Sequence, residues 1–222
     1  MGKPNTSAAI KAQRKTDYTE TLDDFPTPLW CTRAFLHHAG ITGAGYTAIE
    51  PCTNRGFMAD VLHDADFDNV FKCDIVYYDY PLDRLGDYLD FNFKPPKCDY
   101  MITNPPFKFA EKFIKKGLTH CDTVCVFVRL QFVESVGRFE RLFNTHRPSA
   151  IYQYAERCGL DKGQVLAKPP NAAMSFCWMV FDSEPAEQTI FNWIPPCKSQ
   201  FEKPGDYPEN QVKTPIIQET LI

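Results

Sequence analysis

The residues whose types and spacing could do chemistry are Asn104-Pro105-Pro106-Phe107. An asparagine amide oxygen and the next residue's carbonyl are two hydrogen-bond acceptors side by side, able to take both hydrogens of one amino group. A planar ring amine is a poor nucleophile, because its lone pair is delocalised into the ring. Fixed acceptors on both hydrogens favour a tetrahedral nitrogen and stabilise the positive charge that develops as it attacks an electrophile. Phe107 adds a ring face on which an extruded base could stack. The competing reading is structural: a proline-stiffened turn, with Asn104 as a cap and Phe107 in the core.

Such a corner needs elements that hold it. Tyr100 to Thr103 read as a buried strand, and the two prolines end it, since neither can sit in a strand interior. Each proline fixes its own φ and restricts the residue before it. The corner is therefore stiff. A helical pattern follows, with Phe109, Phe113, Ile114 and Leu118 on one face. The Asn104 amide and the Phe107 ring are then carried past a strand's carboxyl end, the edge where open α/β sheets bind ligands.

On these residues, between a strand and a helix, the chain resembles the amino-methylating class I S-adenosylmethionine-dependent methyltransferases. The likeness is closest to small phage- and prophage-type adenine-specific DNA methyltransferases, and covers roughly residues 24–182. The string Arg129-Leu130-Gln131-Phe132-Val133-Glu134-Ser135, followed by Arg138-Phe139-Glu140-Arg141-Leu142-Phe143, also matches that group. The resemblance implies a Rossmann-like α/β fold with catalytic residues Asn104, Pro105, Pro106 and Phe107. It implies S-adenosyl-L-methionine as cofactor, DNA as partner and no metal.

The flanking segments carry more of the same pattern. Thr27 and Pro28 read as the N-cap and first turn of a helix; in the family, a Thr-Pro segment here closes over the methionine end of the cofactor. Tyr46 to Glu50 read as the first strand, followed by the turn Pro51-Cys52-Thr53-Asn54-Arg55-Gly56. The family's loop has the form Pro-x-x-Gly-x-Gly, so Asn54 replaces the first glycine. Asparagine tolerates left-handed backbone better than other non-glycine residues, and Gly56 allows close backbone approach. Glu50 could accept from the cofactor's ammonium group. Asn69 to Asp74 read as the second strand, with Asp74 lying 18 residues after Gly56. An acid there suits the ribose hydroxyls; the alternative is an ordinary turn aspartate. Asp90-Phe91 resembles the family's Asp-aromatic pair beside the cofactor adenine. Cofactor-binding candidates are thus Thr27, Pro28, Glu50, Pro51, Asn54, Gly56, Asp74, Asp90, Phe91 and Asn104.

Thr123 to Leu130 form a continuous apolar run, the mark of a strand buried on both faces. A helix is expected over Gln131–Phe143, with Arg129 and Glu134 as a candidate pair. Ala150 to Tyr154 and Ala173 to Phe181 read as the sixth and seventh strands. In the family an aromatic from the last strand contacts the flipped base. Substrate-binding candidates are Phe107, Lys108, Arg129, Phe176 and Trp178, the last two sharing one strand face by the period of two. Both are equally at home in a core.

Composition is that of one globular domain: 222 residues, 44% hydrophobic and 14% aromatic. The expected organisation is a flexible arm over 1–22, one methyltransferase domain over 23–182 and a proline-containing tail or small appendage over 183–222. Within that domain the expectation is a seven-stranded, mostly parallel sheet flanked by helices, the last strand antiparallel. Nine cysteines without a Cys-x-x-Cys pair read as free thiols in a reducing cytosol. No apolar run is long enough for a membrane span, and residues 1–15 lack a secretory h-region. The expected location is cytoplasmic.

Net charge is −4, yet residues 104–170 hold 11 Lys/Arg against 6 Asp/Glu, a basic half beside the corner. It could face phosphates, or be an ordinary solvated helix face, with Lys112, Lys115 and Lys116 open to either reading. The short tail leaves no room for a large target-recognition domain, so sequence specificity is expected to be short, relaxed or supplied by a partner. RNA adenine or protein glutamine methylation, and a catalytically silent nucleic-acid-binding module, stand as alternatives. The cytosine amine is not excluded by the motif. A dinucleotide-dependent oxidoreductase fails for want of Gly-x-Gly-x-x-Gly spacing.

Overall fold

The computed structural model describes residues 23–168, 174–209 and 211. The expected arm over 1–22, the start of the seventh strand at Ala173 and the tail from 212 onward lie outside the described residues.

Among the described residues, eight strands form one sheet: β1 Thr47–Glu50, β2 Asn69–Asp74, β3 Arg84–Leu85, β4 Cys98–Thr103, β5 Cys121–Arg129, β6 Ala150–Tyr154, β7 Phe176–Asp182 and β8 Ile190–Ile194. Their order is β3-β2-β1-β4-β5-β7-β6-β8. All pairings are parallel except those of β7, which runs antiparallel to both β5 and β6. The seventh strand is thus antiparallel as expected, but the sheet has eight strands, not seven. The extra one, β8, adds to β6 from the segment expected to be a tail or small appendage. It escapes a sequence reading because an edge strand lacks alternation: Ile194 is buried while Ile190, Phe191 and Trp193 are exposed.

The sheet has a core on each face. From β5, Val124, Val126 and Val128 pack with Ile114 and Leu142 on one side. Cys125 and Phe127 pack with Trp30, Phe35 and Trp178 on the other. That two-sided burial is why the β5 run is apolar without alternation. Trp178 stacks on Phe35 at 4.3 Å, with the ring planes 10° apart, and its Nε1 donates to the Tyr154 hydroxyl at 2.9 Å. All nine cysteines are free. No helix among the described residues is long and apolar enough to cross a membrane.

Helix α1, Leu29–Ala39, ends at Gly40 in left-handed backbone (φ 67°), a conformation glycine takes without a Cβ clash. Its N-cap is Pro28 rather than Thr27. The Thr27 hydroxyl is engaged elsewhere, as described below. Helix α2, Phe57–Asp64, starts directly after Gly56, and α3, Ala110–Gly117, follows the corner. The helix expected over 131–143 is broken. A 3₁₀ turn, Leu130–Val133, leads to Ser135, whose hydroxyl caps α4, Val136–Arg138, and the last turn, Phe139–Phe143, is π-wound. A last short helix, α5, spans Lys198–Phe201.

After β1 the chain builds outward through β2 and β3; from β4 onward it builds the other way. The carboxyl ends of β1 and β4 therefore flank the switch point, where a crevice is left between diverging connections.

Candidate active site

A cavity of about 590 Å³ lies at that switch point, a size usual for small-molecule sites. It is lined by Asp23–Thr27 ahead of α1, Glu50–Arg55 after β1 with Phe57 and Met58 of α2, Asp74, Ile75 and Tyr78 at and after the end of β2, Asp87-Tyr88-Leu89 after β3, and the corner after β4 with the start of α3.

The loop after β1 turns through left-handed backbone at Asn54, as its residue type allows. Asn54 adopts φ 51°, and its side-chain oxygen accepts from the Arg55 backbone N–H at 2.8 Å. Gly56 is required twice over. Its φ is 83°, and a Cβ there would lie 2.1 Å from the ring of Tyr80. Tyr80 is itself held by its hydroxyl, which donates to Asp60 at 2.6 Å.

Two buried carboxyls face this loop. Asp74, at the end of β2, accepts from the backbone N–H groups of Asn54 (2.7 Å) and Val76 (2.9 Å). Burial pushes its carboxyl up to about 6, although those N–H bonds pull the other way. Glu50, at the end of β1, is 2% exposed. Burial, then the charges of Asp74 and Asp60, hold it well above the ordinary carboxylate range. Its Oε2 has no hydrogen-bond partner among the described residues. A buried acceptor in this condition is stabilised by a cation or donor entering the cavity.

The corner is held from the N-terminal side. Asn104 Nδ2 donates to the Phe25 carbonyl at 2.9 Å and to Thr27 Oγ1 at 3.0 Å. The Phe107 backbone N–H donates to Asp23 Oδ2 at 2.8 Å. Among the described residues, neither Asn104 Oδ1 nor the Pro105 carbonyl accepts a hydrogen bond. Asp24 takes a bidentate grip on Arg55 (2.6 and 3.0 Å) and accepts from Asn54 Nδ2 at 2.9 Å.

The structure gathers Thr27, Glu50, Pro51, Asn54, Asp74, Asn104, Pro106 and Lys108 around one cavity. A second group meets beside it. The Arg129 guanidinium lies 4.6 Å over the Phe107 ring, and Phe107 packs against Phe176 at 5.9 Å. Pro28, Pro105 and Gly56 support the cavity without lining it. Trp178 is not brought to it: the ring is fully buried in the core on Phe35. Asp90 and Phe91 also lie away from the cavity, and Phe91 is 85% exposed. The wall there is Asp87-Tyr88-Leu89. The same Asp-aromatic pattern occurs three residues earlier, but in so Asp-rich a stretch the sequence does not say which copy reaches the sheet edge. Asp23, Asp24, Phe25 and Arg55 carry no local signal in the sequence, because their roles are contacts across the fold.

The basic residues also sort themselves. Lys108 and Lys112 line the cavity. Lys115 and Arg141 both pair with Glu111, and mainly the Arg141 bond holds that carboxyl down to about 2. Lys116 donates to the carbonyls of Asp90 and Phe93. Arg129 and Glu134 form no ion pair among the described residues.

No family model matches the sequence, and no curated protein matches it. Solved structures do. A proposed RNA methyltransferase from Pyrococcus horikoshii superposes with a TM-score of 0.55 at 15% identity, over 73% of this chain and 88% of that one. The modification subunit of a proposed type I restriction enzyme from Vibrio vulnificus superposes with a TM-score of 0.53 at 16% identity, over 93% of this chain and 52% of that one. A Thermoplasma acidophilum protein gives 0.51 at 15% identity, over 81% and 99%. What this chain shares with them is the fold, a Rossmann-like α/β architecture with a mostly parallel sheet flanked by helices. At such identities the likeness speaks for the architecture and leaves the chemistry to the residues.

Proposed function

We propose that this protein transfers a methyl group from S-adenosylmethionine to the exocyclic amine of adenine in DNA, the target base being extruded to the corner after β4. The observation that carries the reading is the hydrogen-bonding state of that corner. Both hydrogens of the Asn104 amide are taken by Phe25 and Thr27, so the side chain meets the cavity only as an acceptor. The Pro105 carbonyl, which also accepts no hydrogen bond among the described residues, is the second acceptor in this reading, and the two together suit an amino group carrying two hydrogens.

The cavity suits the cofactor. Glu50 Oε2, buried without a partner, fits the ammonium group, and Asp74 fits the ribose hydroxyls. Asp87, Tyr88 and Leu89, with Phe113, fit the adenine edge and faces. Bound there, the cofactor supplies a methyl group already activated on a sulfonium. The chain's own part is to position the amine, hold its hydrogens and exclude water. Lys108 and Lys112 would meet nucleic-acid phosphates at the mouth. Arg129, Phe107 and Phe176 form the platform beside the corner where the base would lie.

RNA adenine is the second reading, favoured by the likeness to the Pyrococcus protein described as an RNA methyltransferase. Incubation with labelled S-adenosylmethionine and, in parallel, unmethylated DNA, RNA and a protein extract, followed by digestion and mass spectrometry, decides between them. Methyladenine in DNA is expected; label confined to RNA or protein moves the substrate, and cofactor binding without any label refutes the enzyme. Asn104→Ala should lose transfer by about 100-fold or more, in line with removal of a transition-state acceptor. Cofactor affinity should stay within a few-fold.

A further inference from the structure

The strap ahead of α1 chooses which end of the Asn104 amide meets the substrate. We infer that Thr27, together with the Phe25 carbonyl, is a positioning residue for Asn104, an inference that rests on the amine-methylating reading above.

An asparagine amide can turn over about its last torsion at little intrinsic cost, exchanging its oxygen for its NH₂. Turned over, Asn104 would present donors to an amine that is itself a donor, and the corner would repel its substrate. The neighbours decide the orientation. A carbonyl can only accept, so the atom 2.9 Å from the Phe25 oxygen must be the NH₂. The second hydrogen goes to Thr27 Oγ1 at 3.0 Å. Thr27 is 4% exposed, so water does not compete for that bond. Its hydroxyl is available because Pro28, not Thr27, caps α1.

The strap is in turn clasped to the cofactor loop. Asp24 binds both Arg55 and Asn54, and the Asp24 carbonyl accepts from Gly163 N–H at 2.8 Å. Asn54, where the family pattern has glycine, thus contributes an amide that ties down the segment orienting Asn104. The departure in the loop is a working contact, and it speaks against a silent module.

The test compares Thr27→Val, which removes the acceptor and keeps the shape, with Thr27→Ser, which restores it. The first readout is the side-chain amide resonance pair of Asn104 in the cofactor-free protein, assigned by its loss in Asn104→Asp. Expected are shifted resonances and faster solvent exchange in Thr27→Val, with the native pattern in Thr27→Ser. An Asn104 pair unchanged in Thr27→Val overturns the inference whatever the enzyme's activity. The second readout is kinetic. Thr27→Val should lower kcat about 10-fold, the equivalent of one hydrogen bond. The KM for nucleic acid and the calorimetric Kd for S-adenosylmethionine should stay within two-fold, and Thr27→Ser should recover kcat. A weakened cofactor Kd with unchanged kcat would make Thr27 a cofactor ligand instead and overturn the positioning role. A wild-type protein without methyl transfer would sink the proposed function, while the resonances would still decide the orientation of Asn104.

Discussion

At the scale of single residues the site holds charges in a costly state. Glu50 and Asp74 are buried near one another, and both carboxyls are pushed up by burial first. For a carboxyl raised in the fold, the native state binds more protons than the unfolded chain between the two pKa values. Asp74 therefore costs stability progressively as pH rises from about 4 to about 6, and that cost persists above. Glu50 extends it to higher pH. Glu50→Gln should remove part of the penalty, raising the Tm of the cofactor-free protein at pH 7 by about 2–4 °C, the equivalent of about 1 kcal/mol. The same change should weaken S-adenosylmethionine about 10-fold by calorimetry, since an ammonium ion would lose its counter-charge. In the unmodified protein, affinity should rise with pH as Asp74 ionises near 6 and, beyond it, as Glu50 ionises, and binding should release protons, visible as heats that depend on the buffer. A stabilised variant with undiminished affinity would remove Glu50 from the cofactor site.

At the scale of elements, the strap Asp23–Thr27 works by tying the loop after β1 to the corner after β4. Its anchor is the Asp24–Arg55 pair, whose side chains are only 13% and 6% exposed. Truncating one partner of a buried pair leaves the other charge uncompensated, at a cost of about 3 kcal/mol. Asp24→Ala should accordingly lower Tm by about 6–12 °C in thermal unfolding. It should also weaken cofactor binding, because Arg55 and Asn54 lose a common partner. Unchanged Tm and affinity would show that the strap is not held this way. Arg55 stacks over Tyr78 at 4.6 Å as well, so Asp24→Asn, which keeps hydrogen bonds to the guanidinium, should be milder. The helix after β5 shows the limit of periodicity at this scale. The apolar spacing over 131–143 is helical in part, but Ser135 caps a new start and splits the segment.

At the scale of the whole molecule, the corner and α3 set Lys108 and Lys112 on the wall of the cavity, and β8 forms one edge of the sheet among the described residues. Lys108→Ala with Lys112→Ala should weaken nucleic-acid binding and reduce the slope of log K against log salt by about 1.8 on duplex DNA. An unchanged slope would place the phosphates elsewhere. Trp30 and Trp178 are buried in the core while Trp193, on edge strand β8, is 65% exposed. Acrylamide should quench one fraction of the tryptophan emission, and Trp193→Phe should abolish that fraction; quenching that survives the substitution would contradict β8 as an open edge. What the sequence determined by itself is local. The Pro-Pro corner, the two-sided apolar run of β5 and the strand ending at Asp74 are each written in a few adjacent residues, because proline geometry and hydrophobic period act over one element. Tertiary structure alone decided that β8 joins the sheet, that Asp87-Tyr88 and not Asp90-Phe91 reaches the cavity, that Trp178 is core, and which atom of Asn104 is left facing the cavity. Each depends on partners many residues away in the chain, such as Phe25 for Asn104 or Phe35 for Trp178, and no period or spacing near the residue records them.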